Sequence, residues 1–306
     1  MSMADSPVRV QPEDLARARI DTMLARAGWE VQDYKSVNLY AGHGVAVREL
    51  FTAAGPADYV LFVDRQAVGV IEAKKQGTTL AGVEWQTAKY QTNVPNELPA
   101  YLVDRRLPFG YESTGSETFF TCRFDPQPTA RRVFWFHTPQ TLGDMIENHH
   151  DGAGGSLRAR VHNIAPLTGD TPWFRTAQTT AIRNLEASLQ ANKPRALIQM
   201  ATGSGKTFAA ANIAERLITG GQAKRNLFLV DRANLGTQTL KEFRGFDVPG
   251  TGRKFTELYN VQQLTSNTID PVAKVCIGTI SGSIHAQAEP ADPLRPRRLR
   301  RQLPSR

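Results

Sequence analysis

Two short apolar runs separated by a turn constrain the fold of this chain more than any other feature. Residues 59–63 read Y-V-L-F-V and residues 68–71 read V-G-V-I, with D-R-Q-A between them. Apolar runs of this length, bounded by turn residues, are typical of buried strands. We therefore predict two adjacent strands in one sheet of an α/β protein.

Charged residues flank these predicted strands at one end. Asp58 precedes the first run, and Glu72 and Lys74 follow the second as E-A-K. Two carboxylates that converge on one edge can hold Mg²⁺ through oxygen ligands. A lysine beside them can orient an attacking water or steady the charge that grows on a phosphate. The pattern predicts metal-assisted phosphodiester hydrolysis, and the alternative is a solvated, charged strand end.

Further residues strengthen the catalytic interpretation. Gly55 stands three residues before Asp58, and Gln86 and Tyr90 are four residues apart in a predicted helix. Side chains at that spacing lie on the same helix face and could reach a DNA backbone. The combination G-x-x-D, E-x-K and Q-x-x-x-Y resembles the PD-(D/E)xK nuclease superfamily in its RecB-like branch. The resemblance implies this catalytic set: Asp58, Glu72, Lys74, Gln86 and Tyr90. Glu49 is either a further carboxylate on the metal side or the partner of an arginine.

A second motif follows a predicted buried strand at residues 196–200. The sequence A-T-G-S-G-K-T at 201–207 leads into an amphipathic helix. Backbone N–H groups of such a loop and helix N-terminus cradle phosphates, the lysine reaches the terminal phosphates, and the threonine hydroxyl ligates Mg²⁺. The predicted nucleotide-binding residues are Thr202, Gly203, Ser204, Gly205, Lys206 and Thr207, with Thr207 as a metal ligand. Met200 replaces the first glycine of the strict motif, but this form resembles motif I of superfamily 2 helicases.

Segments on either side of the loop resemble the same helicases. Gln178, before a predicted helix at 179–189, matches a glutamine that reads adenine; the alternative is an ordinary glutamine at a helix start. Asp231 follows the apolar run 226–230 and is either part of motif Ia or a Walker B carboxylate. Residues 275–279, V-C-I-G-T, resemble motif Ib.

The chain divides into four predicted segments. We predict a PD-(D/E)xK nuclease domain at 1–150, a linker at 151–165, a partial RecA-like P-loop domain at 166–280 and a disordered tail at 281–306. The first domain should begin with a helix at 13–27, with Leu15, Ile20, Met23 and Leu24 as its apolar stripe. Further strands are predicted within 95–104, at 119–122 and at 132–137.

Charge and cysteine content narrow the class of protein. The formal net charge is +8, but the Pro/Arg-rich tail contributes +4, so charge supports nucleic-acid binding only weakly. The two cysteines lie far apart and indicate neither a disulfide framework nor a zinc site, which fits a reducing cytoplasm. The sequence has no signal-peptide core and no apolar run long enough to span a membrane.

A nuclease motif directly upstream of a superfamily 2 motor resembles the restriction (R) subunit of type I restriction–modification enzymes. The resemblance extends over about residues 10–280. It rests on short sequence segments that include G-P-A-D-Y-V-L-F, I-E-A-K, F-W-F-H-T-P and M-A-T-G-S-G-K-T. It implies Mg²⁺ and ATP as cofactors, double-stranded DNA as substrate, and modification and specificity subunits as partners.

This chain departs from the resemblance after residue 280. A D-E-x-H box, a second RecA-like domain and an arginine finger do not appear after Lys206. We therefore expect ATP-driven translocation to be lost, and the tail to be either a frameshift product or a natural basic tail. Two other functions stay open: a stand-alone RecB-like repair nuclease, and a DNA-binding remnant without catalysis.

Overall fold

The chain forms two compact units, Met1–His162 and Asn163–Arg306. The computed structural model describes residues 12–80, 84–95, 97–167, 173–266 and 268–279. The predicted tail at 281–306 lies outside the described residues. Each unit combines helices with a sheet, so the predicted α/β class is confirmed.

Unit 1 is built on a mixed sheet of seven strands in the order β1-β2-β3-β4-β5-β6-β7. Pairs β1–β2 and β4–β5 are parallel, and the other pairs are antiparallel. The strands are β1 (Glu30–Asp33), β2 (Gly44–Thr52), β3 (Gly55–Val63), β4 (Gln66–Ala73), β5 (Phe109–Ser113), β6 (Thr118–Cys122) and β7 (Arg131–Val133).

Helices cover both faces of this sheet. They are α1 (Pro12–Arg26), α2 (Glu84–Thr92), α3 (Pro139–His150) and α4 (Leu157–Arg160), with short 3-10 turns at Tyr34–Ser36 and Val161–Asn163. One core cluster joins the sheet to α1 and α3, and a second lies on the face that α2 covers. From residue 59 to residue 63 the side chains of β3 alternate between these clusters because successive residues of a strand point to opposite faces.

The predicted first helix is confirmed, but one residue of its apolar stripe is wrong. Ile20 and Leu24 are buried, whereas the Leu15 residue is 54% exposed. The buried stripe instead begins at Ala16, since positions 16, 20 and 24 are four residues apart and share a helix face. Leu15 lies about 100° away around the helix. Gly28 ends the helix with a φ of +88°, as predicted.

The predicted strand pair is the β3–β4 hairpin, with Tyr59 opposite Ile71. Its two-residue turn has positive φ at both Asp64 and Arg65, the geometry that suits the twist of a tight hairpin. The glycine of G-x-x-D, Gly55, begins β3 with a φ of +110°, a backbone conformation that glycine adopts without penalty.

Other predicted strands of unit 1 need correction. Segment 95–104 contains only isolated bridges, and β7 covers just the start of the predicted strand at 132–137. Strand β5 was not predicted, although it pairs with β4 beside Glu72. Gly69 of β4 admits the close approach of β5, because an added Cβ would lie 2.9 Å from the Phe109 backbone oxygen.

Unit 2 contains a parallel sheet of three strands, in the order β11-β12-β8, and a separate antiparallel pair, β9 and β10. Its strands are β8 (Asn226–Val230), β9 (Asp247–Val248), β10 (Arg253–Lys254), β11 (Val261–Gln263) and β12 (Val275–Thr279). Its helices are α5 (Thr176–Gln190), α6 (Lys206–Thr219), α7 (Ala233–Gly245) and α8 (Phe255–Leu258). Phe243, Phe255 and Ile277 are fully buried at its centre.

The strand predicted at 196–200 is wrong. This segment has no regular structure, and the Leu197 residue is 93% exposed. An apolar run becomes a strand only where a neighbour accepts its backbone hydrogen bonds, and none of the described strands pairs with it. Leu227 and Leu229 of β8 are also exposed. Among the described helices, none is long and apolar enough to cross a membrane.

Candidate active site

The β3–β4 hairpin places Asp58 and Glu72 close together on adjacent strands. Each is adjacent in sequence to a member of the Tyr59–Ile71 pair, whose side chains belong to the core cluster on the α1 side. Alternation along β4 turns Glu72 to the opposite face, which α2 covers, and Asp58 lies close enough to accept a hydrogen bond from the backbone of Ala73, the residue after Glu72. The carboxylates thus stand on adjacent strands, whose backbones lie about 4.8 Å apart.

Both oxygens of the Asp58 carboxylate accept hydrogen bonds. The Ala73 N–H donates to Oδ2 at 2.8 Å, and Nη2 of Arg17 donates to Oδ1 at 2.6 Å. The Asp58 side chain is 15% exposed. The backbone of the E-x-K segment therefore fixes the orientation of the first carboxylate.

Lys74 binds the second carboxylate directly. Its Nζ donates to Oε1 of Glu72 at 2.8 Å, and both side chains are largely buried. Burial raises the pKa of Glu72, the negative charge of Asp58 adds to the rise, and the hydrogen bond from Lys74 opposes it. This shift of the Glu72 pKa arises because two carboxylates and one ammonium share a partly dehydrated site.

Helix α2 brings Tyr90 to the same site. The helix packs on β4 and β5, and Gln91 Nε2 donates to the Leu107 carbonyl oxygen at 3.1 Å. The pKa of Tyr90 is raised by partial burial and then by the negative charges of Glu72 and Asp58, so its hydroxyl lies within the field of both carboxylates. Gln86 is in the same helix, as predicted, but its side chain lies outside the described part of the chain.

Two residues at this site were not predicted. Arg17 of α1 bridges Asp58 and Glu49, with Nη1 donating to Oε1 of Glu49 at 3.2 Å, so Glu49 is the partner of an arginine. Glu112 of β5 lies opposite Glu72 in the parallel register and is 1% exposed. An acidic residue inside the run F-G-Y-E-S was the signal for Glu112, whereas no local pattern distinguished Arg17 from the other arginines of its helix.

Asp58 and Glu72 fit a magnesium ion. Mg²⁺ commonly takes one or two protein carboxylates and completes its shell with water and substrate phosphate oxygens. Each carboxylate also offers about four lone-pair positions, so it can coordinate while it accepts a hydrogen bond. The described residues contain no cluster of three or more His, Cys, Asp or Glu that could hold a metal.

In unit 2 the glycine-rich loop ends at the N-terminus of α6. Gly203 and Gly205 adopt positive φ values of +78° and +82°. Nζ of Lys206 donates to the carbonyl oxygens of Ala201 at 3.1 Å and Met200 at 3.4 Å. The lysine thus folds back across its own loop, where a phosphate would offer stronger, charged acceptors. Thr202, Ser204 and Thr207 lie in the same loop and first helical turn.

Gln178 holds this loop in place. Its Nε2 donates to the Ser204 carbonyl oxygen at 3.0 Å, and its Oε1 accepts from the Arg175 N–H at 2.9 Å. The bond from Arg175 caps the start of α5 and the bond to Ser204 joins this helix to the loop, so the glutamine has a structural role beside the loop. Its predicted contact with adenine stays a prediction.

Asp231 follows the carboxyl end of β8 and is largely exposed. Val230, just before it, lies opposite Thr279 at the end of β12. The carboxyl ends of these parallel strands, where ligands of open α/β sheets commonly bind, therefore bring Asp231 and Thr279 to one edge. Motif Ia and Walker B both stay possible assignments for Asp231.

Family comparisons match both units. Residues 22–144 match the model for the second domain of the EcoKI endonuclease subunit of type I restriction enzymes. Residues 172–293 match the model for the res subunit of type III restriction enzymes. The first match contains Asp58, Glu72 and Tyr90, and the second contains the whole glycine-rich loop.

Among curated proteins, the chain is similar to the type I restriction enzyme EcoKI endonuclease subunit of Escherichia coli (strain K12). The two are 25% identical over an alignment that covers 92% of this chain and 28% of the relative. Among solved structures, a fragment assigned as an HsdR subunit of a type I restriction enzyme from Vibrio vulnificus YJ016 is 18% identical. The structural alignment covers 90% of this chain and 48% of the Vibrio vulnificus chain. Its TM-score is 0.32, which does not establish a shared fold.

Proposed function

We propose that this chain acts as a restriction (R) subunit of the type I kind, to which its sequence is similar, and that unit 1 hydrolyses DNA phosphodiester bonds with the help of Mg²⁺. The observation that carries the proposal is the convergence of Asp58, Glu72, Lys74 and Tyr90 on one site beside the end of β4. In this proposal unit 1 has a PD-(D/E)xK fold and unit 2 is a RecA-like P-loop unit.

Each side chain has a defined task in such a reaction. Asp58 and Glu72 would hold the metal, which when bound polarises a phosphate oxygen and lowers the pKa of a water ligand. Lys74, fixed by Glu72, places its positive charge where the phosphate gains negative charge. Tyr90 is protonated at neutral pH, since the ordinary tyrosine pKa is about 10 and its own pKa is raised further, so its hydroxyl can donate a hydrogen bond to the DNA backbone. Gln86 of the same helix would assist it.

A plasmid-nicking experiment tests this proposal with neighbouring lysines. The full chain is incubated with supercoiled DNA in Mg²⁺ or Mn²⁺, and nicked product is quantified for wild type, Lys74→Ala and Lys75→Ala. Lys75 is exposed and pairs with Glu13 at 3.4 Å, so its variant serves as the control. We expect nicking by wild type and Lys75→Ala and none by Lys74→Ala. Nicking by Lys74→Ala at the wild-type level would show that the proposed catalytic residues are wrong, and no metal-dependent nicking by any of the three proteins would favour a DNA-binding protein without catalysis.

For unit 2 we propose ATP binding through the loop of Lys206 and Thr207, supported by the positive φ values of its glycines and by the N-terminus of α6 behind it. Fluorescent-nucleotide titration of wild type and Lys206→Ala tests this binding. DNA-stimulated ATP hydrolysis that disappears in Asp231→Asn would assign Asp231 as the Walker B carboxylate.

The chain spans 28% of the length of its curated relative, and the activities of the longer protein are proposals here. We propose that the chain acts in DNA restriction with modification and specificity subunits, on double-stranded DNA, in the cytoplasm. Co-purification with those subunits tests the partnership. A nuclease that cuts DNA without them would support the alternative role in repair.

A further inference from the structure

A pocket of about 260 Å³ adjoins the candidate nuclease site, and most of its lining residues lie outside the proposed catalytic set. Its lining includes Asp58 and Arg17 on one side and Tyr34, Lys35 and Phe51 on the other. Ligand pockets for drug-sized molecules commonly measure about 300–1,000 Å³, so this volume suits one small group.

The sheet creates this pocket where β1 stops. Strand β1 pairs with β2 only as far as Arg48, and the chain then turns through Tyr34–Ser36. Strand β2 continues to Thr52, with Phe51 opposite Pro56 of β3. The end of β2 therefore projects past its neighbour, and its aromatic side chain stands 58% exposed.

Two aromatic rings form one wall of the pocket. The centroids of Tyr34 and Phe51 are 5.3 Å apart, and the ring planes meet at 78°. In this arrangement a flat group can stack on one ring while its edge meets the other. Nucleic-acid bases stack on exposed aromatic side chains regardless of sequence, because every base has a π-face.

Charges in the lining point to a neutral group with a phosphate beside it. Arg17 and Lys35 are balanced by Glu49 and Asp58, so the lining as a whole carries no net charge. Arg17 bridges the two carboxylates, and Lys35 is exposed with its Nζ 5.8 Å from the centroid of the Tyr34 ring. A neutral base suits the aromatic wall, and a backbone phosphate can meet the exposed ammonium of Lys35.

Backbone strain occurs at the same place. Glu49 has a φ of +51°, although the β2–β3 register holds on either side of it at Arg48↔Tyr59 and Leu50↔Ala57. Left-handed backbone at a residue other than glycine costs free energy and is concentrated at functional sites. The strained residue is part of the pocket lining.

We propose that this pocket binds one unstacked nucleotide of the DNA strand that is cut, with its base against Phe51 and Tyr34 and a flanking phosphate near Lys35. The inference rests on the proposed nuclease function, since Asp58 lies both in the pocket lining and in the catalytic set. By holding one nucleotide, the subsite would fix the position of the scissile phosphate at the catalytic residues. It therefore positions the substrate without taking part in bond cleavage.

Oligonucleotides that contain 2-aminopurine test the subsite in the full chain. Lys74→Ala serves as the background so that the DNA stays intact, and fluorescence and affinity are measured with single-stranded and duplex probes. We expect quenching of the unpaired 2-aminopurine by ring stacking. Phe51→Ala should lose that quenching and weaken binding about tenfold, whereas Phe51→Trp should keep both.

The matched control is Phe134→Ala. Phe134 is 78% exposed and follows β7, at the other end of the sheet from β1 and β2, so its loss should change neither signal. In the same background, Lys35→Gln should reduce the slope of log affinity against log salt by about one, as expected for one lost phosphate contact.

The outcomes separate the subsite from the nuclease. If Phe51→Ala binds and quenches like the background protein, the subsite is refuted, whatever the nicking result. If Phe51-dependent quenching occurs but Lys74→Ala nicks as wild type does, the subsite stands as a DNA-binding site and the proposed catalytic residues are wrong. Quenching lost equally in Phe134→Ala would also overturn the proposal, because it would not depend on the pocket.

Discussion

Arg17 donates a hydrogen bond of 2.6 Å from Nη2 to Oδ1 of Asp58, the carboxylate that we propose as a metal ligand. The same guanidinium binds Glu49. Burial alone would lower the pKa of Arg17, but the hydrogen bond and charge of Asp58, with the charge of Glu49, raise it. A fixed positive charge therefore compensates the carboxylates on one side of the site before any metal binds.

This relationship predicts that bound Mg²⁺ partly replaces the contribution of Arg17 to the free energy of unfolding. Without metal, Arg17→Met should lower the free energy of unfolding by about 1 kcal/mol, because the pair is partly exposed and screened by solvent. With saturating Mg²⁺ the deficit should shrink, since the metal supplies positive charge to Asp58. Urea unfolding in EDTA and in Mg²⁺ measures both values.

Arg19→Met is the control for this prediction. Arg19 lies on the same helix and donates to Oε1 of Gln76 at 3.1 Å, away from the carboxylates. Its variant should show the same deficit in EDTA and in Mg²⁺. An Arg17→Met deficit that metal leaves unchanged would contradict the proposed coupling.

His137 predicts a loss of stability in acid. Burial lowers its pKa to about 4. The backbone N–H of His137 donates to the Tyr111 hydroxyl oxygen at 3.3 Å, so that hydroxyl can donate its own hydrogen to the ring atom Nδ1 of His137, 2.7 Å away. The unfolded chain, with an ordinary histidine pKa of about 6.5, binds the proton more readily. This contribution is therefore fully present above about pH 6.5 and is lost as pH falls towards 4.

The size of this effect is about 3 kcal/mol across the window, at 1.36 kcal/mol for each pKa unit. Urea unfolding between pH 7 and pH 4 gives the free energy of unfolding as a function of pH. The effect is measured as the difference between the wild-type and His137→Gln curves. His150→Gln is the control, because the His150 side chain is 80% exposed. Parallel pH curves for wild type and His137→Gln would show that His137 does not cause the acid sensitivity.

Local patterns predicted those parts of the fold that local chemistry determines. The β3–β4 hairpin follows from two apolar runs and a turn, and the helix that carries Tyr90 follows from its spacing. Contacts between distant segments could not be predicted in this way. Arg17 reaches Asp58 across 41 residues of sequence, and β5 pairs with β4 after an intervening helix.

The error at 196–200 has a different physical origin. Its apolar composition matches a buried strand, but burial depends on a neighbour rather than on the segment itself. In the described sheet of unit 2 no strand pairs with this segment, and Leu197 remains exposed. Composition gave the hydrophobicity of the segment correctly, while tertiary context decided its conformation.

Gly205→Ala is predicted to destabilise the glycine-rich loop and to weaken ATP binding. Gly205 has a φ of +82°, and an added methyl group would collide with Nε2 of Gln178. We expect a loss of about 1–3 kcal/mol in stability, as is typical of strained backbone. Fluorescent-nucleotide titration should show weaker binding than wild type.

Gly245→Ala is the control for this change, since Gly245 has no positive φ and an added Cβ would meet nothing within 4 Å. Its stability and nucleotide affinity should match those of wild type. If both glycine variants behave alike, the close packing of Gln178 on the loop is not what constrains Gly205.

The final prediction concerns the ion pair that joins the two helices around the loop. Arg216 of α6 binds Glu186 of α5 through Nε–Oε1 at 2.5 Å and Nη2–Oε2 at 2.9 Å, with side chains only 17% and 11% exposed. Removing one partner of a buried pair leaves an uncompensated charge, which costs about 3–5 kcal/mol. Arg216→Ala should therefore strongly destabilise unit 2, and Arg216→Lys should do so less because it keeps the charge.

The double variant Arg216→Leu/Glu186→Leu should lose less stability than the sum of the two single leucine variants, since no charge is left buried alone. Urea unfolding of the four proteins of this cycle, wild type included, measures the coupling, and additive losses would show that the pair does not stabilise the contact between α5 and α6.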